Sequence, residues 1–197
     1  MQGLQGYREN AKTLAVQYES ITFADVHRDV LHLFPLRPCR VLDVGAGSGR
    51  DAAALAAHGH SVVAVEPTDA LRAEGIRLHA GKAVEWVDDQ LPALALLRAR
   101  SDRFDLILLT AVWMHLDQTE RHESLGSLVN LVAPKGRISM SLRHGPVPSG
   151  RRMFDVSAIE TIELASSFGL RLVHSVDRED MLGRADVHWS FVVFERP

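Results

Sequence analysis

The stretch "VLDVGAGSGRD", Val41 to Asp51, decides how the rest of the chain is read. It is an apolar run broken once by Asp43, then glycines at alternate positions 45, 47 and 49, then a polar segment that opens a helix. Strand, tight loop and helix start, in that order, is how several nucleotide folds hold a ligand against loop amides and a helix N-terminus. Three ligands compete for it: a nucleoside triphosphate, a dinucleotide such as NAD, or another molecule with an adenosine handle.

A phosphate-cradling loop needs Lys and then Ser or Thr after its last glycine. Here Gly49 is followed by Arg50 and Asp51, so that reading fails. A dinucleotide loop requires Gly or Ala in its sixth position, so that the helix packs closely on the strand. Counted from Gly45 that position is Arg50, which is too large. Charge points the same way: Asp43 before the loop and Asp51 after it would repel a pyrophosphate and suit a ligand carrying positive charge. Glu66, at the end of the next strand, is placed to accept from both hydroxyls of a ribose. NAD sites use the same device, so Glu66 alone identifies only an adenosine-type ribose. Asp88 and Asp89, after a third strand, are placed to accept from an adenine amino group. The bland alternative is a tight turn at Gly45 and Gly47 with Asp43 capping the next helix. Joint occurrence with Glu66 favours the ligand.

Outward from this stretch, strands alternate with helices. Residues 7–18 and 23–34 are expected as two helices, since Leu14 and Tyr18 share a face, as do Phe23, Val26, Val30 and Leu33. After Pro35 and Pro38 the period changes. "RVLDV", "SVVAVE", "AVEWVDD", "RFDLILLTAV" and "GRISMSL" read as five strands. Helices separate them, the third carrying Pro92 in its first turn. A helix over 156–168 precedes "LRLVHSV" and "VHWSFVVFE", two strands with no helix between them and hence an antiparallel pair. Near-continuous apolar strands suit a parallel sheet covered on both faces, with ligands at the carboxyl ends of the strands. The expected fold is α/β, a Rossmann-like doubly wound, mostly parallel sheet with an antiparallel last strand. The expected organisation is one domain over 1–197, with a helical cap at 1–38 and the core at 39–197.

Composition narrows the partners. Twenty-two basic and 25 acidic residues give a net charge of −3, which argues against an overall basic nucleic-acid surface. The single cysteine, Cys39, excludes an internal disulfide and a cysteine-rich metal site, and no metal is expected. No apolar stretch approaches a membrane span, and "MQGLQGYREN" lacks the apolar core of a signal peptide. A cytoplasmic protein without membrane contact is the default expectation.

The motifs also have a family likeness. Asp43-x-Gly45-x-Gly47-x-Gly49, "VVAVEP", "WVDDQLP", "RFDLILLTAVWMH" and "LVAPKGRISMSL" resemble, in order over roughly residues 40–142, the successive motifs of class I S-adenosylmethionine-dependent methyltransferases. The resemblance implies seven strands, with the last antiparallel and inserted beside the fifth. It implies S-adenosylmethionine as cofactor, its methionine end on the loop of Asp43, Gly45, Ala46, Gly47, Gly49 and Arg50. Glu66, with Pro67 beside it, would take the ribose, one of Asp88 and Asp89 the adenine, and Thr110 and Ala111 would border the same site.

In such an enzyme the sulfonium methyl is already electrophilic, so the protein's task is to align a nucleophile in line with the carbon–sulfur bond. A hydroxyl or ammonium acceptor also needs a base, and His115, after the fourth strand, is the candidate. That loop reads Thr110-Ala111-Val112-Trp113 and lacks the Asn/Asp-Pro-Pro-aromatic motif of enzymes that methylate exocyclic amines of bases. Trp113, Arg143, His144 and Arg152 are candidates for substrate contact, the cations as a clamp for a carboxylate or phosphate. Tyr7 and Tyr18, from helices that would cover the cofactor, complete the set. The expected function is methyl transfer to a small molecule, with an anionic one raised by the arginines. The rivals are an RNA or protein methyltransferase using the Arg143–Arg152 loop, and a cofactor-binding module without catalysis. An NAD oxidoreductase is a distant third.

Overall fold

Alternate residues of the central strands enter two different cores. In the computed structural model, which describes residues 5–148 and 150–197, β1 (Arg40–Val44) sends Leu42 and Val44 to one side and Val41 to the other. β2 (Ser61–Val65) sends Val63 and Val65 one way and Val62 and Ala64 the other, and β4 (Phe104–Thr110) does the same with Ile107 and Leu109 against Leu106 and Leu108. This is the period-two geometry of a strand, with both faces apolar because both are covered. Each fully buried aliphatic side chain contributes about 1.5–3 kcal/mol.

With β3 (Val84–Val87), β5 (Val132–His144), β6 (Arg171–Glu179) and β7 (His188–Glu195), the strands of the described residues form one seven-stranded sheet in the order β3-β2-β1-β4-β5-β7-β6. β1 pairs parallel with β2 and β4, and those in turn with β3 and β5. β7 lies between β5 and β6, antiparallel to both. This is the expected Rossmann-like sheet. Strand order reverses beside β1, so the carboxyl ends of β1 and β4 open a crevice there.

Helices cover both faces. α3 (Phe23–His27) and α4 (Arg50–Ala57) bury Phe23, Ala52 and Leu55 on one. α6 (Ala95–Arg98), α7 (Gln118–Leu131) and α8 (Ala158–Ser167) bury Leu97, Leu125, Leu128 and Ala165 on the other. α7 starts on a reciprocal cap in which Asp117 accepts from the Glu120 amide and Glu120 from the Asp117 amide. α1 (Gln5–Glu9) and α2 (Ala11–Glu19) pack against α5 (Asp69–Leu78) through Leu14 and Leu71. Among the described residues no helix is long and apolar enough to cross a membrane.

Three local expectations differ. The helix expected over 7–18 is interrupted at Asn10, whose side chain turns back to the Gly6 carbonyl. The one expected over 23–34 ends at His27 and is followed by a 3₁₀ turn at Leu31–Leu33. Phe23, Val26, Val30 and Phe34 are all buried, so the apolar spacing is satisfied without a continuous helix, and Phe34 replaces Leu33 as its last buried member. Pro92 lies in the turn before α6 rather than in the helix's first turn. Residues 1–4 of the expected cap, and Ser149 in the 143–152 loop, lie outside the described residues.

Candidate active site

The loop after β1 holds its shape by glycine geometry. Gly45, Gly47 and Gly49 have φ of 69°, 58° and 84°, a region that costs an L side chain about 1–2 kcal/mol. A Cβ at Gly45 would stand 2.6 Å from Val112 Cγ2, so space as well as torsion excludes it. Gly49 is the N-cap residue of α4 and packs on the Trp86 ring. Gly75, inside α5, matters for the same reason, since a Cβ there would clash with the Trp86 ring and stand 2.8 Å from the Ser48 carbonyl. The visible signal for it was a glycine in mid-helix, where it is disfavoured.

Glu66 follows β2 and is 5% exposed. Its Oε2 accepts the Gly47 amide at 2.9 Å and its Oε1 the Thr68 amide at 2.8 Å. Burial pushes its carboxyl up, against the hydrogen bonds from Thr68 and Gly47 and the charge of Arg72. Asp43, at 2% exposed, has an Oδ2 with no protein partner among the described residues. Burial first, and then the charge of Asp51, raise it well above the ordinary carboxylate range, against Arg50 and a bond from the Ala52 amide.

Asp51 is the opposite case. Burial would raise it, but His27 Nε2 at 2.8 Å and Arg50 Nε at 2.6 Å hold it far below the usual range. Its Oδ2 also accepts the Thr110 hydroxyl at 2.8 Å. One buried carboxylate thus joins α3, α4 and the end of β4. α2 is tied to the loop as well: Ser48 donates to Glu19 at 2.6 Å, and Arg50 to the Tyr18 carbonyl at 3.1 Å.

A cavity of about 840 Å³ opens at the carboxyl ends of β1, β2 and β4. Asp43, Gly45, Ala46, Gly47, Arg50, Glu66, Pro67, Asp89, Thr110 and Ala111 all line it. Asp89 also uses its Oδ2 to hold the amides of Leu96 and Leu97 at the start of α6. Asp88 is solvent-exposed, ion-paired to Arg72 at 3.0 Å, and does not line the cavity. Gly49 does not line it either; it acts behind the loop.

Tyr7, Tyr18, His115, Arg143, Arg151 and Arg152 line it as well. Arg152 is engaged by Asp117 and Glu120 at 3.1 and 2.8 Å. Arg143, 8% exposed, donates to the Gly145 carbonyl, and Arg151 to the Tyr7 hydroxyl; among the described residues neither has an ion-paired carboxylate. Two expected substrate contacts are corrected. Trp113 is fully buried in the core under the sheet and is absent from the cavity wall, because the 3₁₀ turn at Trp113–His115 points its ring inward. His144 stacks on His188 at 4.6 Å, bonds Ser190 Oγ, and is absent from this cavity, lining instead an adjoining pocket of about 120 Å³ that shares Met114, Arg143 and Met153 with it. As neighbours along β5, Arg143 and His144 point to opposite faces. The sequence reading missed the segment between β6 and β7, where Asp180, Met181, Leu182 and Arg184 form a further wall. No motif marks it; only the fold brings it there.

Comparison with known proteins bears on the fold. Residues 41–136 match the family model described as a methyltransferase domain. A demethylmenaquinone methyltransferase of Clavibacter sepedonicus is 32% identical over 124 residues, 62% of this chain and 49% of that protein, so the chain spans about half of this relative's length. Among solved structures, a 1,6-didemethyltoxoflavin N1-methyltransferase of Burkholderia thailandensis, bound to its substrate and S-adenosylhomocysteine, superposes with a TM-score of 0.66. It is 23% identical, over 95% of this chain and 89% of that one. A TehB-like methyltransferase of Corynebacterium glutamicum gives 0.70 at 18% identity, over 96% and 99%. The match to the methyltransferase-domain model thus covers just under half of the chain, and the chain as a whole shares the fold of these methyltransferase structures.

Proposed function

We propose that the chain transfers the methyl group of S-adenosylmethionine to a small anionic molecule. The observation that carries this reading is one continuous cavity of about 840 Å³ that gathers both the glycine loop with its buried carboxylates and a set of arginines. Among the described residues Arg143 and Arg151 have no ion-paired carboxylate. The volume suits a cofactor with a small acceptor beside it.

The residues present fit the cofactor. The buried, unpartnered Asp43 Oδ2 suits its positively charged end, beside a loop that Gly45 and Gly47 shape through their positive φ. Each Glu66 oxygen takes one amide and keeps acceptor capacity for a ribose hydroxyl. Asp89, rather than Asp88, is the acceptor available to an adenine amino group, because only Asp89 lines the cavity. S-Adenosylmethionine would supply a methyl group on sulfur already activated for transfer. Arg143 and Arg151 orient the acceptor's anionic group. His115 provides the basic nitrogen for its proton. The small-molecule acceptors named for the two relatives, a menaquinone precursor and a toxoflavin precursor, support a planar ring compound.

The test is incubation with methyl-labelled S-adenosylmethionine and a panel of carboxylated phenols, reduced naphthoquinones and heteroaromatic N–H compounds. Label transferred to an anionic member, and not to RNA or protein, is the expected result. Label in RNA or protein alone would overturn the small-molecule reading.

A further inference from the structure

We infer that the Tyr7 hydroxyl is the group that takes the proton from the acceptor, relaying its own proton to His115 Nε2. This rests on the methyl-transfer reading above and names residues that work together in it. His115 Nδ1 lies 2.9 Å from the Arg152 carbonyl oxygen. A carbonyl only accepts, so Nδ1 carries the ring proton, and in the neutral imidazole Nε2 is left as an acceptor. Tyr7 Oη is 3.1 Å from that nitrogen and so donates to it. Arg151 Nη1 donates to the same oxygen at 3.2 Å, and its guanidinium lies 4.7 Å over the Tyr7 ring. One lone pair of Tyr7 Oη remains, on a side chain that lines the cavity.

The surroundings suit a relay that is neutral at rest. Burial lowers the proton affinity of His115; Arg151, Arg152 and Arg143 lower it further, against the hydrogen bond to the Arg152 carbonyl. Arg152 is itself paired with Asp117 and Glu120, the acidic groups nearest in α7 and its cap. Burial and Tyr18 push the Tyr7 hydroxyl up to about 12, with Arg151 opposing, so Tyr7 holds its proton until His115 can receive it. As the methyl group leaves sulfur for the acceptor atom, the acceptor's proton passes to Tyr7 Oη and the Tyr7 proton to His115 Nε2. The products are the methylated acceptor, S-adenosylhomocysteine and an imidazolium, which then returns its proton to water. His115 thus acts through Tyr7, and the acceptor is one that arrives with an O–H or N–H to lose.

The test reads the histidine directly. Nitrogen-15 NMR of histidine-labelled protein at neutral pH should show His115 neutral, with its proton on Nδ1. In Tyr7→Phe the Nε2 resonance should move toward that of a nitrogen accepting no hydrogen bond. An Nε2–H tautomer, an imidazolium, or an Nε2 signal unchanged in Tyr7→Phe overturns the relay. The kinetic arm uses whichever member of the panel above is methylated. Tyr7→Phe and His115→Gln should each lower kcat by about 100-fold, and the double variant scarcely further, as expected of groups acting as a unit. KM for S-adenosylmethionine should stay within about two-fold if only the proton path is lost. Full activity in Tyr7→Phe overturns the relay. Binding of S-adenosylhomocysteine with no panel member methylated contradicts the proposed acceptor class instead, and leaves the relay to the NMR result.

Discussion

Glu66 and the Gly47 amide are joined by a hydrogen bond of 2.9 Å that ties the end of β2 to the loop after β1. The same carboxylate holds the Thr68 amide, so one side chain sets the entrance to α5 and the shape of the glycine loop together. The residue proposed to meet the ribose is therefore also a structural tie. The loop is preorganised rather than shaped by its ligand, which lowers the entropy lost on binding.

Gly45→Ala tests that preorganisation. Its φ of 69° and the 2.6 Å approach of Val112 predict a loss of about 2 kcal/mol in urea unfolding, with weaker binding of S-adenosylhomocysteine. Unchanged stability would mean that the loop relaxes freely.

Asp51→Asn removes one member of a buried cluster with His27, Arg50 and Thr110. The side chains of His27 and Asp51 are 2% and 4% exposed, so solvent screens their pair little. Breaking it should cost about 3 kcal/mol at neutral pH, read by denaturant unfolding. A loss under about 1 kcal/mol would show that the cluster repays only its own desolvation.

Acidification separates binding from folding. Asp43 and Glu66 are both raised by burial, so each binds its proton more tightly folded than unfolded. Their contribution to ligand-free stability is complete below the unfolded carboxylate values and is lost as pH rises through the folded ones. Cofactor affinity should run the other way, rising over that window as the two carboxylates ionise. Urea unfolding of the ligand-free protein and calorimetric titration with S-adenosylhomocysteine across the acid range, on wild type and Asp43→Asn, check this. In Asp43→Asn both slopes should flatten, and equal slopes in the two proteins would contradict the assignment.

Arg143→Gln should weaken an anionic acceptor by about ten-fold or more while leaving S-adenosylhomocysteine affinity unchanged, since a charge-assisted hydrogen bond is lost to the acceptor alone. Equilibrium binding of both ligands distinguishes the cases, and a parallel loss of both would place Arg143 in the cofactor site.

Much of this was legible in the residues. The run from Val41 to Asp51 carries its own strand period, glycine spacing and charge, and a mostly parallel sheet with one antiparallel pair follows from successive strand–helix units, whereas the place of β7 beside β5 was implied only by the family resemblance. What the sequence could not show depended on tertiary neighbours. Adjacent carboxylates at Asp88 and Asp89 look equivalent in a string, but opposite side-chain directions send one to solvent and Arg72 and the other to the cavity and α6. Trp113 after a strand reads as a rim residue until the 3₁₀ turn tucks it under the sheet. His27 carries no local motif, and its bond to Asp51 spans 24 residues. The helices before β1 are shorter than their apolar spacing implies, because Phe23, Val30 and Phe34 are buried together in one cluster with sheet residues, which needs no continuous helix.

Calorimetric titration of the wild type and Glu66→Ala with S-adenosylmethionine, S-adenosylhomocysteine and NAD tests the central claim most directly. The account predicts tight binding of both sulfur ligands, a loss of about ten-fold or more in the variant, and no binding of NAD. Folded, ligand-free protein that binds neither sulfur ligand, or binds NAD instead, would contradict it.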